Sequence, residues 1–365
     1  MLVVLAALLA LSAVLGIGQA QPVVPGLTVE ALHDDAGPWE IRVLRIDRDA
    51  EQLHLVAALG KGQLSGLESL TRIIARETTA GACVVAGVNA DFFRMGDRPF
   101  PGGLSGACVR NGELITTPRG RPAFYITAAG APSIETAQTT GEVRIGEQSY
   151  PLGGMNMPDQ CAEGGVQLFT PIGGWELSAG CLVARLEGGP LQTQGHWQAT
   201  VAEVVPAGTA RTAGDGELLI ATLDEQVRAG LLTASVGAPV QITLETPPFT
   251  APVRQAVGGS HVLVHAGEIS APEQIRHPRT AAGYNEREVI LVTVDGRQEG
   301  WSVGMSLIEL AALMQRLGCT EAVNLDGGGS TTAWAGGEVV NRPSGGVQRA
   351  IADALLVLMD PAAEE

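Results

Sequence analysis

The stretch Ala322-Val323-Asn324-Leu325-Asp326-Gly327-Gly328-Gly329-Ser330-Thr331-Thr332 runs from an apolar strand into a carboxylate, three glycines and three hydroxyls. Consecutive glycines lift the Cβ restriction on φ and allow turns that other residues resist. They also let a ligand approach bare main chain, where successive N–H groups form an anion-binding concavity. Two readings compete: a glycine-rich hairpin turn, or a site for an oxygen-rich, anionic ligand. The acid on one flank and the hydroxyl run on the other favour the site.

Working upstream, the same stretch closes a strand–helix–strand unit. Glu288 to Val294 is an apolar run that reads as a central strand and ends in Asp295-Gly296-Arg297. Ser306-Leu307-Ile308-Glu309 is a capping box that opens a helix. Its apolar face is Leu307, Leu310, Ala311, Met314 and Leu317, and Gly318 stops it. The spacing predicts a βαβ-like unit over residues 288–326. If its strands are parallel, the crossover is right-handed and Asp295 and Asp326 leave adjacent strands on one rim.

Elsewhere the sequence is written in short strands. Trp39 to Asp47 alternates as a half-buried strand should, and Gln52 to Ala58 is expected to pair with it across Asp49-Ala50-Glu51. Short helices are predicted over Ser69–Arg76 and Asp224–Leu231, and Asn111-Gly112 signals a hairpin. Ala82 to Val88 is a continuous apolar run, read as a buried strand, ending in Asn89-Ala90-Asp91-Phe92-Phe93. Asn89 and Asp91 there either line a pocket or form an ordinary turn. Residues 135–250 keep the strand idiom without a chemical motif, as a β-rich insertion within one domain over 21–365. The expected fold class is α+β: β-rich mixed sheets with a few helices, including the unit at 288–326.

Composition narrows the function. Acidic residues outnumber Lys plus Arg by 39 to 23, a net charge of −16, which argues against a nucleic-acid partner. Residues 2–17 are almost wholly apolar, and Gly18-Gln19-Ala20 resembles a cleavage site, so residues 1–20 read as a signal peptide. No Lys or Arg precedes Arg42, so the usual positive start is missing; an uncleaved anchor is the other reading, although the run is short for a span. The expected location is secreted or at the cell surface, with no stable membrane insertion after cleavage. Of five cysteines, Cys83, Cys108 and Cys319 read as small buried hydrophobes, while Cys161 and Cys181 share loop-rich sequence and are a disulfide candidate.

The series Val88-Asn89-Ala90-Asp91-Phe92-Phe93, Gly258-Gly259, Pro278-Arg279-Thr280-Ala281, Val294-Asp295-Gly296-Arg297 and Asn324 to Ser330 resembles the phosphodiester glycosidase family. The likeness covers roughly Val84 to Leu358. The Asn-Ala-Asp-Phe-Phe block departs from the family's Asn-Gly-Gly-Phe-Phe form. The resemblance implies a secreted hydrolase that cleaves a sugar–phosphodiester linkage at the anomeric carbon, with no cofactor. Its substrate would be a carbohydrate-phosphate small molecule or a cell-envelope glycan. Such cleavage passes through an oxocarbenium-like transition state commonly handled by two carboxyl groups, here Asp326 and Asp295. Asn89, Arg279, Thr280, Asn324, Gly327, Gly328, Gly329 and Ser330 would bind substrate, Arg279 with its bidentate fork. For Arg279 the competing reading is a structural salt bridge, and His277 reads as a surface or packing residue rather than a catalyst. Two hard carboxylates are compatible with a divalent metal, and no motif specifies one. Competing functions are a non-catalytic glycan-binding module and a P–O phosphodiesterase acting on a wall polymer.

Overall fold

The computed structural model describes residues 20–78, 82–96, 100–157 and 165–361. The chain folds as two compact units, one built from residues up to 58, 68–90 and 259 onward, the other from 59–67 and 91–258. Among the described residues, strands dominate and three α-helices accompany them: Leu70–Glu77, Glu225–Leu231 and Leu307–Arg316.

The first unit contains two sheets. In the eight-stranded sheet, Trp39–Asp47, Glu288–Val294, Arg279–Tyr284 and Glu321–Asn324 lie side by side, each antiparallel to the next. Glu288–Val294 and Glu321–Asn324 are therefore parallel, and the helix Leu307–Arg316 connects them. They are not neighbours, because Arg279–Tyr284 is inserted between them. The βαβ-like expectation is thus corrected: the connection crosses over an intervening strand. Asp295 and Asp326 still follow parallel strands, with Arg279 beginning the strand between. On the helix side, Ala281, Ile290, Val292 and Ala322 pack against Leu307, Leu310, Ala311 and Met314 in one core. Ser306 caps that helix through the expected box, accepting from the Glu309 amide while Glu309 accepts from the Ser306 amide. Side chains that alternate to the other face include Thr280, which reaches the second sheet.

That second sheet places Cys83–Asn89 between Ala333–Ala335 and Asp353–Met359. Leu53–Leu59 lies at its edge, beside Asp353–Met359. The expected pairing of Gln52–Ala58 with Trp39–Asp47 is therefore corrected. Leu27–Asp34 takes one side of Trp39–Asp47 and Glu288–Val294 the other. Cys83 is exposed at its strand's start rather than buried, whereas Cys108 and Cys319 are buried. Residues 1–19 of the leader, and Cys161 of the disulfide candidate, lie outside the described residues.

The second unit contains a closed seven-stranded barrel drawn from Thr140–Glu245 and a five-stranded sheet that includes Cys108–Arg110, Ala123–Thr127 and Val253–Gly258. One apolar core joins them, with Tyr125, Leu168, Val201 and Ile242 fully enclosed. Barrel closure leaves no free edge to that part of the chain.

Candidate active site

Asp326 is fixed by main chain on both sides. Its N–H donates to the Ala90 carbonyl at 2.8 Å, and its carbonyl accepts from Asn89 Nδ2 at 2.6 Å. Asn89 closes the clamp: its Oδ1 accepts from Thr280 Oγ1 at 2.8 Å and from the Thr332 amide at 3.1 Å. One buried amide side chain thus ties together the Asn89 strand end, the Arg279–Tyr284 strand and both ends of the glycine turn.

The Asp326 carboxylate is partly buried. Burial raises its pKa from 3.8 to about 6, against hydrogen bonds from the Ser330 hydroxyl and the Gly327 amide and the nearby charge of Arg349. The turn needs glycine for contact reasons. A Cβ on Gly327 would fall 2.5 Å from the Pro278 carbonyl oxygen, a backbone atom that cannot move aside, whereas one on Gly329 would meet only the end of the Arg349 side chain. Two of the amides offered by the turn are already given away: Gly327 to the Asp326 carboxylate, and Gly328 to the Pro278 carbonyl at 2.8 Å.

Positive charge at the turn comes instead from two arginines without an assigned role in the sequence reading. Arg349 lies on Gly329 and donates through Nη1 to Ser330 Oγ at 3.4 Å. Arg297 lies over Gly328, its guanidinium 3.3 Å from where a Cβ would stand. Arg297 Nη2 also lies 3.0 Å from His277 Nδ1. A guanidinium can only donate, so His277 Nδ1 accepts and the ring proton sits on Nε2. Burial, then Arg297 and Arg279, push the His277 pKa down, which agrees with a neutral ring.

Arg279 is buried and spends Nε on the Met305 carbonyl at 2.8 Å and Nη2 on the Ile275 carbonyl at 2.9 Å. Its pKa is lowered to about 10, chiefly by burial. Asp295 carries no salt bridge to it. The Asp295 carboxylate accepts from Trp301 Nε1 at 2.9 Å, Asn341 Nδ2 at 3.0 Å and the Arg342 amide at 3.0 Å. Burial raises its pKa, and these three donors oppose the rise. Asn341 also donates to the Thr331 carbonyl at 3.2 Å, so Asp295 joins the polar network of the turn. Neither aspartate figures among the causes of the other's shift, unlike a coupled carboxyl dyad.

Asn324 donates from Nδ2 to Ser260 Oγ and to the Leu325 carbonyl, both at 2.8 Å, while its buried Oδ1 has no partner. Asp91, the residue that departs from the family's block, belongs to the second unit, where its carboxylate accepts from the Phe92 and Gly106 amides. Among the described residues there is no group of three metal-ligating side chains. The structure thus brings Asn89, Thr280, Asp326, the glycines and Ser330 into one network. Arg297, Arg349 and His277 join it. Only Arg297 had a sequence signal, its place in the Asp-Gly-Arg motif.

Comparison with known proteins agrees with this part of the chain. Residues 182–358 match the family model described as phosphodiester glycosidase. The SPbeta prophage-derived protein YomE of Bacillus subtilis is 36% identical over 84 residues, which is 23% of this chain and 13% of that protein. A structure from Synechocystis superposes with a TM-score of 0.75 at 20% identity, covering 94% of this chain and 64% of that one. An exported protein of Burkholderia pseudomallei K96243, by its description, superposes with a TM-score of 0.66 at 23% identity, covering 88% and 74%. At such identities the two structures establish the fold. The stretch from residue 182 to 358, which holds Arg279, Asp295 and the glycine turn, is phosphodiester glycosidase-like in sequence.

Proposed function

We propose that the protein hydrolyses a sugar–phosphodiester linkage at the anomeric carbon, with Asp326 as the catalytic carboxylate. The observation that carries this reading is Asp326 itself: an acid with a pKa of about 6, held by main chain on rigid elements, with Arg349 and Arg297 on the adjoining glycines. At neutral pH the carboxylate is ionised and faces the carbon where positive charge develops in an oxocarbenium-like transition state. Arg349 and Arg297 hold the departing phosphodiester, an anion that leaves without needing a strong acid. The neutral His277 offers Nε2–H, and the unpartnered Asn324 Oδ1 offers an acceptor for a buried hydroxyl or water. In this reading Asp295, Arg279, Asn89 and Thr280 act by holding the loops in place, since their polar atoms are engaged with protein.

The apolar leader and the description of one relative as exported support an extracytoplasmic location. No helix among the described residues is long and apolar enough to cross a membrane. The reaction is tested by incubating the purified protein with a panel of glycosyl phosphodiesters in ¹⁸O-water. The expected result is turnover with the label in the sugar, the mark of C–O cleavage. Label in the phosphate would instead make it a P–O phosphodiesterase. No turnover across the panel would favour a binding module.

A further inference from the structure

Arg349 is seated on Gly329, yet it comes from residues 342–350, which form neither helix nor strand. That segment contains Gly345-Gly346, with Gly346 at a φ of 76°, and its Val347 is exposed. A guanidinium carried on such a segment keeps one position only if the backbone beneath it is anchored against its conformational freedom.

Two anchors flank it, and both reach residues 68–71. The Ile351 amide donates to the Glu68 carbonyl at 2.9 Å, and the Glu68 amide donates back to the Ile351 carbonyl at 3.0 Å. Gln348, the residue next to Arg349, grips Thr71 with its side-chain amide. Its Oε1 accepts from the Thr71 amide and its Nε2 donates to Thr71 Oγ1, both at 3.2 Å. Thr71 stands in the first turn of the helix Leu70–Glu77, where main-chain amides have no partner within the helix. Ser69 precedes that helix without capping it through its side chain, so Gln348 supplies a cap from a distant part of the chain.

The helix that receives these contacts is itself fixed. Leu70 and Ile73 are fully enclosed, and the helix packs on Cys83–Asn89, the strand whose last residue clamps Asp326. The tether therefore refers Arg349 to the same frame that holds the acid. From there Arg349 Nη1 donates to Ser330 Oγ at 3.4 Å, and the Ser330 hydroxyl hydrogen-bonds the Asp326 carboxylate. The first of these contacts is at the long end of hydrogen-bonding range, so a small displacement of the loop would lose it.

We propose that Gln348, through its grip on Thr71, is a positioning residue that holds the Arg349 guanidinium over Gly329 and Ser330. It rests on the reading of Arg349 as a group that receives the departing phosphodiester. Wild type is compared with Gln348→Ala, Thr71→Val, Thr71→Ser, Arg349→Gln and the Gln348→Ala, Arg349→Gln double variant, each checked for folding by its melting curve. Two readouts are taken. One is KM for a glycosyl phosphodiester. The other is the Asp326 titration, followed by carbon-13 NMR of aspartate-labelled protein, which needs no substrate. Gln348→Ala and Thr71→Val should each raise KM about fivefold. Both should also move the Asp326 titration to higher pH, as Arg349→Gln does, because Arg349 in place lowers that pKa. Thr71→Ser keeps the hydroxyl and should behave as wild type. On top of Arg349→Gln, Gln348→Ala should add less than about twofold, because the group it positions is gone. An Asp326 titration unmoved by Gln348→Ala would overturn the proposal, whatever the rates. So would an undiminished effect of Gln348→Ala in the Arg349→Gln background, since Gln348 would then act by another route. A moved titration in a protein that hydrolyses no diester, or whose KM does not change, would count against the catalytic reading and not against the tether.

Discussion

At the scale of single residues, the central quantity is the charge of Asp326. Its folded pKa of about 6 lies above the ordinary 3.8, so the fold favours the protonated acid. The associated stability is fully present below about pH 4 and is lost as pH rises through about 6. Asp326→Asn removes that loss. The variant should therefore be more stable than wild type at pH 7, by on the order of 1 kcal/mol after allowing for the partly open side of the residue, and should lose the advantage at pH 4. Melting temperatures at the two pH values check this. Arg349 acts in the opposite sense, lowering the Asp326 pKa. Arg349→Gln should move the acid limb of the rate profile to higher pH and raise KM about tenfold or more, since a charge-assisted contact to phosphate is lost. An unmoved limb with unchanged KM would place Arg349 outside the site.

At the scale of elements, the site depends on strand ends being clamped to one another. Asn89→Ala would leave the Asp326 carbonyl, the Thr280 hydroxyl and the Thr332 amide without their buried partner. It should cost about 3 kcal/mol in urea denaturation. Asp295→Asn would put an amide where three donors now meet a carboxylate, and a loss of about 2 kcal/mol is expected there too. What was legible in the sequence follows from range. The Ser306–Glu309 box, the short helix over Asp224–Leu231 and the Asn111-Gly112 turn are local signals, and each element formed where it was expected. Strand pairing is set by distant partners, so neither the transfer of Leu53–Leu59 to the second sheet nor the strand inserted between Glu288–Val294 and Glu321–Asn324 could be read. The site divides in the same way. Asp326 and its glycines announce themselves in one short run, whereas Arg349 arrives from a later loop with no periodicity. Arg297 reaches Gly328 from a backbone with φ of 58°, a conformation that a sequence does not disclose for arginine.

At the scale of the whole molecule, the unit that carries Asp326 is discontinuous, and its last strand closes it. Asp353–Met359 lies between Cys83–Asn89 and Leu53–Leu59, and the Ala90 amide donates to the Asp353 carbonyl beside the clamp. Truncation after Ala352 should therefore expose the Asn89 strand and abolish the cooperative unfolding of that unit, as read by hydrogen exchange at residues 83–89; unchanged protection there would show the strand to be dispensable. All of this architecture serves one assignment, that the Asp326 carboxylate carries the chemistry. Its most direct test is the rate of glycosyl phosphodiester hydrolysis by wild type and by folded Asp326→Asn across the pH range from about 4.5 to 8. The predicted result is a wild-type kcat/KM that rises with pH through an apparent pKa of about 6, and a variant slower by several powers of ten with no such limb. A variant that retains most of the wild-type rate, or a wild-type rate that falls as pH rises through about 6, would contradict it.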